Sequence, residues 1–193
     1  MIVAGASAPR YTTEPVASHG GLVSISSVVF EGRFIIALRR DRWEYVSRKG
    51  TSGVVILVAT TPADELLFVE QYRTPVDARV IELPAGLAGD IAGQEDEALE
   101  LAAARELEEE TGWRPAHVQR LVAGPVSAGL TTEVVTFFRA TGLERVSDGG
   151  GDEHEDIVVH AVPLPEVEPW LAAKAAAGVM VDPKVYSALW FTR

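Results

Sequence analysis

The sequence predicts an α/β fold: a mixed sheet sandwiched between helices, with a small antiparallel β-module ahead of it. Three observations carry that expectation. Apolar runs of strand length recur at 54–59, 66–72, 80–83, 118–123, 134–140 and 157–162. Helical spacing interleaves with them at 95–111, 166–177 and 183–191, and such alternation favours helices layered on a sheet. Before both, residues 22–49 break into three strand-like runs joined by turn residues.

In chain order, residues 1–20 are rich in Ala, Ser, Thr, Pro and Gly, the composition of a loose arm. LVSISSVVFE, RFIIALRRD and RWEYVSRKG follow, with hairpin turns expected at Glu31 and Gly32 and at Arg40 and Asp41. A meander this short is marginal alone and must pack on something. Residues 51–53 read as a linker, which divides the chain into 1–50, arm and β-module, and 51–193, the main domain. A Thr-Pro-Ala-Asp turn separates the first two strands of that domain. Pro84, Ala85 and Gly86 form a tight turn leading to a helix, whose composition is favourable from Glu95 onward. Leu99, Ala102, Ala103 and Leu107 mark its apolar face, and Gly112 stands just past its end, where a left-handed residue is needed. A Gly- and acid-rich loop spans 146–156, and two helical segments close the domain. Trp113, Trp170 and Trp190 are expected to pack in the core or against helices.

A chain of 193 residues, 47% hydrophobic and 23% charged, suits one domain plus an appendage. Its net charge of −11 argues against a nucleic-acid backbone as partner. There is no cysteine, which excludes disulfides, a thiolate nucleophile and Cys-ligated zinc. The start, MIVAGASAPR, lacks the basic flank and apolar core of a signal peptide. No apolar run reaches membrane-spanning length, so a cytoplasmic protein without membrane partners is expected.

The chemistry concentrates in Arg105, Glu106, Leu107, Glu108, Glu109 and Glu110. On a helix, Glu106, Glu109 and Glu110 project to nearly one side, with neighbouring Cβ atoms about 5–6 Å apart. Two carboxylates at about 6 Å repel by roughly 3 kcal/mol at an effective dielectric of 20. A cation relieves that repulsion, and hard oxygen donors suit Mg²⁺ or Mn²⁺ shared with substrate phosphate. Arg105, four residues before Glu109, can pair with and orient one carboxylate. The competing reading is a solvated acidic helix face.

The surrounding pattern resembles the Nudix box, G-x5-E-x7-R-E-U-x-E-E-x-G-U, where U is aliphatic or aromatic. Glu97, Arg105, Glu106, Leu107, Glu109, Glu110, Gly112 and Trp113 stand in register with it. One element departs: Ile91 stands where the glycine belongs, so Gly86 takes that role with about five extra residues after it. Outside the box, Glu70-Gln71-Tyr72-Arg73, Glu82-Leu83-Pro84-Ala85-Gly86, Gly129-Leu130-Thr131, Glu155-Asp156-Ile157 and Val181-Asp182-Pro183-Lys184-Val185-Tyr186 resemble the ADP-ribose and nucleoside-diphosphate-sugar pyrophosphatase branch. The resemblance covers roughly 43–190.

That resemblance implies an α/β/α Nudix sandwich in 51–193, and an N-terminal module that crosses to a partner in a homodimer. It implies Mg²⁺-dependent hydrolysis of the diphosphate of a nucleoside diphosphate sugar, with Mn²⁺ as an alternative ion. Glu106, Glu110 and the Ala85 carbonyl would hold metal, supported by Glu109 and Glu97. Arg73, at a strand end, is expected to clamp the diphosphate bidentately. Glu82 either accepts hydrogen bonds from ligand or is structural. Trp43 is read as a purine platform reaching across the dimer or as a cross-strand packing residue, with Glu44 or Arg48 bonding polar groups near it. Glu133 is placed at the pocket lining. The general base is Glu153 or Glu155, in a loop preceding a strand, with Glu153 favoured; His154 is taken as a bystander. A nucleotide sensor that does not cleave, and an enzyme acting on oxidised nucleoside triphosphates, are the alternatives.

Overall fold

The structure, a computed structural model, describes residues 16–17, 23–151 and 156–192. Strands β1 (Val16–Ala17) and β2 (Val23–Ser24) pair antiparallel. The predicted β-module is present: β3 (Ser27–Glu31), β4 (Ile35–Arg40) and β5 (Trp43–Arg48) form a three-stranded antiparallel sheet. Its first run is split, because the chain leaves strand geometry at Ile25 and Ser26. Asp41 takes a left-handed φ of 53° in the second turn, a conformation that Asp tolerates.

The main domain continues with β6 (Gly53–Ala59), β7 (Glu65–Arg73), β8 (Ala78–Glu82), β9 (Ala85–Ala88) and α1 (Leu99–Thr111). Then come β10 (Trp113–Arg114), β11 (His117–Pro125), β12 (Val134–Thr141), β13 (Glu144–Arg145) and β14 (Val158–Pro163). Helix α2 (Val167–Ala176), β15 (Met180–Val181) and helix α3 (Lys184–Phe191) complete it. Two four-stranded mixed sheets result, ordered β11–β12–β6–β9 and β14–β7–β8–β15. Strands β6 and β12 run parallel, as do β8 and β15; the other neighbours in these two sheets are antiparallel.

Strand β6 explains the layering. Its side chains alternate faces, and both sets are buried. Val55, Leu57 and Ala59 pack with Ala102, Ala103 and Leu107 of α1. Ile56 and Val58 pack on the other side with Phe68, Leu171 of α2, and Val185 and Ala188 of α3. A strand apolar on both faces belongs between two helical layers, as expected of an α/β/α sandwich.

Three details depart from expectation. The helix starts at Leu99 rather than near Glu95; Ala98, extended at its N-terminus, offers no side-chain cap. Ala85 and Gly86 do not lead directly into the helix but open β9, which pairs with β6. Trp190 is 70% exposed, since α3 turns Val185 and Ala188 inward and leaves Trp190 outside. Trp113 and Trp170 pack as expected, the latter stacked on Phe68 at 5.2 Å.

The Gly-rich loop caps α1. Gly150 N–H donates to the Glu110 carbonyl at 2.8 Å and Gly151 N–H to the Glu109 carbonyl at 3.1 Å, satisfying groups that a helix end leaves without partners. The β-module docks through β5: Val46 N–H donates to the Leu130 carbonyl at 2.8 Å, and Thr132 N–H to the Val46 carbonyl at 3.0 Å. No helix among the described residues is long and apolar enough to cross a membrane.

Candidate functional site

A cavity of about 650 Å³ opens between α1, the turn from β8 into β9, the β5 edge and the start of α3. That volume lies within the range of small-molecule sites. One wall is the acidic helix face. Glu106, Glu109 and Glu110 all line the cavity, as their spacing predicts, but they differ in depth. Glu110 is 3% exposed, and its carboxylate accepts the Ala85 N–H at 3.0 Å. Glu109 stands at the rim, about half exposed.

Glu106 lies between them, over β9. A Cβ on Gly86 would collide with its carboxyl, so the glycine is what lets strand and carboxylate approach. Burial pushes the Glu106 pKa up to about 7; Arg105 opposes this, while Glu109 and Asp90 add to it.

Arg105 reaches further than the single partner expected of it. Its guanidinium donates to Glu106 at 2.9 Å, to Glu109 at 3.1 Å, to both Glu97 oxygens at 3.1 and 3.2 Å, and to the Leu87 carbonyl at 3.0 Å. Asp90 lies 3.5 Å away. Burial works against the Arg105 charge, but Glu97, Glu106 and Glu109 outweigh it and raise its pKa. Glu97 precedes the helix and is nearly buried beneath Arg105, whose hydrogen bond lowers its pKa.

The opposite wall comes from strand ends. Arg73 closes β7 and pairs with both oxygens of Glu82, which closes β8. Asp182 follows β15, parallel to β8, so it sits beside Glu82; its N–H donates to the Ile81 carbonyl at 2.9 Å. The Asp182 carboxylate accepts the Lys184 backbone N–H at 2.8 Å and pairs with the Lys184 ammonium. At the third side Arg48 donates to Glu133 at 2.8 Å.

The structure thus brings Arg48, Arg73, Glu82, Ala85, Arg105, Glu106, Glu109, Glu110 and Glu133 together around one cavity. Glu97 acts on it through Arg105. Trp43 and Glu44 are not among the lining residues; Trp43 is 53% exposed, and Glu44 pairs with Arg39 at 2.6 Å on the module surface. Glu153 and Glu155 lie outside the described residues. The described chain reaches the cavity at Gly151 and resumes at Asp156, which Arg79 holds at 2.8 Å. Gln71, Asp90, Asp182 and Lys184 line the cavity without having been picked out as site residues. Gln71 had a signal: it sits two before Arg73 on a strand, hence on the same face. Asp182 and Lys184 stand in a segment that carries the family resemblance, but their place at the cavity follows only from β15 lying along β8.

The NUDIX domain family model matches residues 50–182. The methanol dehydrogenase activator of Bacillus methanolicus is 31% identical over 106 residues, 55% of each chain. The ADP-ribose pyrophosphatase of Mycobacterium tuberculosis is 38% identical over 130 residues, 64% of this chain and 61% of that one. The chain therefore spans about three fifths or less of these curated relatives. The crystal structure of an ADP compounds hydrolase superposes with a TM-score of 0.63 at 22% identity, covering 87% of this chain and 89% of that one, which shows the shared fold. With Arg105, Glu106, Leu107, Glu109 and Glu110 of the box gathered on α1 and the family model matched across more than half its length, the chain belongs to the NUDIX domain family.

Proposed function

We propose that the chain hydrolyses the diphosphate bond of ADP-ribose or a related nucleoside diphosphate sugar, releasing a nucleoside monophosphate and a sugar phosphate. One observation carries the reading. A single guanidinium, Arg105, faces Asp90, Glu97, Glu106 and Glu109 at the cavity wall, so four carboxylates share one cation, and burial, aided by Glu109 and Asp90, keeps the Glu106 pKa raised. Such a wall calls for added positive charge. Among the described residues no three His, Asp or Glu side chains already converge as a cage. The donors fit an ion completed by substrate phosphate and water, the habit of Mg²⁺, with Mn²⁺ a close substitute.

Glu106, Glu110 and the Ala85 carbonyl would hold that ion, with Glu109 at the rim. When bound, it neutralises charge spread over the phosphate oxygens in a loose transition state. Arg73 turns from Glu82 to clamp the diphosphate, its planar fork matching two phosphate oxygens. Arg105 holds the acidic side chains apart and in place. Glu153 or Glu155, carried by the segment between Gly151 and Asp156, takes the proton from the attacking water.

Residues 51–193 are the catalytic domain in this reading, and 1–50 serve dimerisation. Trp43 stacks on the base at the site of a second copy, with Glu44 bonding its edge; both are surface groups that their own cavity does not use. Charge supports the pairing. Residues 25–50 hold six basic and three acidic side chains, residues 51–193 ten basic and twenty-four acidic, so module and domain attract.

A panel of ADP-ribose, other nucleoside diphosphate sugars and nucleoside triphosphates, each with Mg²⁺ and Mn²⁺, tests the reading by monophosphate release. AMP and ribose 5-phosphate from ADP-ribose are expected. Binding without products would establish a sensor instead, and preference for triphosphates a different enzyme.

A further inference from the structure

Gln71 is a buried polar residue at the cavity that the mechanism leaves unused. It is only 8% exposed, lines the cavity, and its side-chain amide makes no hydrogen bond among the described residues. Among the described residues Ser52 Oγ is the only fully buried side-chain polar atom without a partner, so the Gln71 amide is open to the cavity, where a bound molecule can reach it. Strand β7 places Gln71 on the face of Arg73, directly across from Val80. Two ion pairs lie beside it, Arg73 with Glu82 and Asp182 with Lys184.

We propose that Gln71 is a substrate-binding residue whose amide exchanges hydrogen bonds with hydroxyls of the terminal sugar. The assignment rests on the reading of the cavity as a nucleoside diphosphate sugar site. Phosphate oxygens only accept hydrogen bonds, and the cavity meets them with guanidinium groups. An amide donates and accepts, as a sugar hydroxyl does. The Asp182–Lys184 pair adds a carboxylate acceptor and a cationic donor on the same wall, and Arg73 between it and the diphosphate marks where phosphate gives way to sugar. In the same reading the nucleoside end would take the side of the cavity formed by Arg48 and Glu133 beside the β-module.

The test compares Gln71→Met and Gln71→Leu with the wild-type chain on two substrates. ADP-ribose carries the sugar; the P2-methyl ester of ADP keeps nucleoside and diphosphate but replaces the sugar with a methyl group. For ADP-ribose kcat/KM falls about ten-fold in both variants, the loss of a neutral hydrogen bond to a bound group. For the methyl ester it stays unchanged, and the thermal midpoint of the free protein is kept or raised. Equal losses on both substrates, or a lowered midpoint with no change in substrate preference, overturn the proposal. A wild-type chain that cleaves neither compound with Mg²⁺ or Mn²⁺ overturns the parent reading and this one with it, and that failure shows before any variant is made.

Discussion

Gly86 has no side chain, and the Glu106 carboxyl fills the space one would need. Local sequence marks Gly86 as a turn residue; only the fold shows that the absent Cβ serves a helix twenty residues on. Gly86→Ala is expected to push Glu106 out of line and cut turnover by about 10²-fold, the order of effect of misplacing a catalytic group by an ångström. Normal steady-state rates in that variant, with Mg²⁺ saturating, would mean that Glu106 does not need its present position. Other residues in the cavity were readable at different depths. The carboxylates on α1 followed from helical spacing alone. The many partners of Arg105 did not, because Asp90 and Glu97 reach it from a loop whose path depends on the extra residues after Gly86.

At the scale of elements, the strands of the sandwich core were legible because their apolar runs are long and β-branched. Strand β9 was not: Ala85, Gly86, Leu87 and Ala88 have little strand propensity and are held by pairing with β6. Two-residue β10, β13 and β15 exist only through tertiary pairing. A second polar cluster, on the sheet face away from the cavity, ties β7, β8, β14 and α2. Glu70 accepts from Arg79 at 2.9 Å, His160 at 3.0 Å and Lys174 at 2.7 Å. Burial raises the Glu70 pKa, but the hydrogen bonds from Lys174, His160 and Arg79 prevail and hold it at about 2. Burial also lowers the pKa of His160, against the pull of Glu70.

The unfolded carboxyl titrates near 4.5, so the Glu70 network contributes fully above that pH and its contribution is lost as pH falls toward about 2. Glu70→Gln is expected to cost about 3 kcal/mol near pH 6. Urea titrations should show the gap from wild type closing as the pH is lowered from 4.5 toward 2; a gap independent of pH would remove ionised Glu70 from the explanation.

For the whole molecule, the β-module is the part least explained by a single chain. Ile25, Val28, Val29, Phe30 and Phe34 are each more than half exposed, an unusual amount of apolar surface for three strands. Its net charge is basic where that of residues 51–193 is acidic. A dimer that covers this face and carries Trp43 to the neighbouring cavity accounts for both. Sedimentation at micromolar concentration should give a species of twice the 20.7 kDa chain mass, and Trp43→Ala should raise KM more than it lowers kcat. A monomer with full activity would contradict the pairing.

All of this depends on the α1 carboxylates acting as a seat for divalent ions beneath a diphosphate. The direct measurement is AMP release from ADP-ribose by wild type and Glu110→Gln, titrated with Mg²⁺ and Mn²⁺. Metal-dependent release by wild type and a fall of several orders of magnitude in a folded Glu110→Gln is the expected result. Release that persists in chelator, or near-normal turnover in the variant, would contradict it.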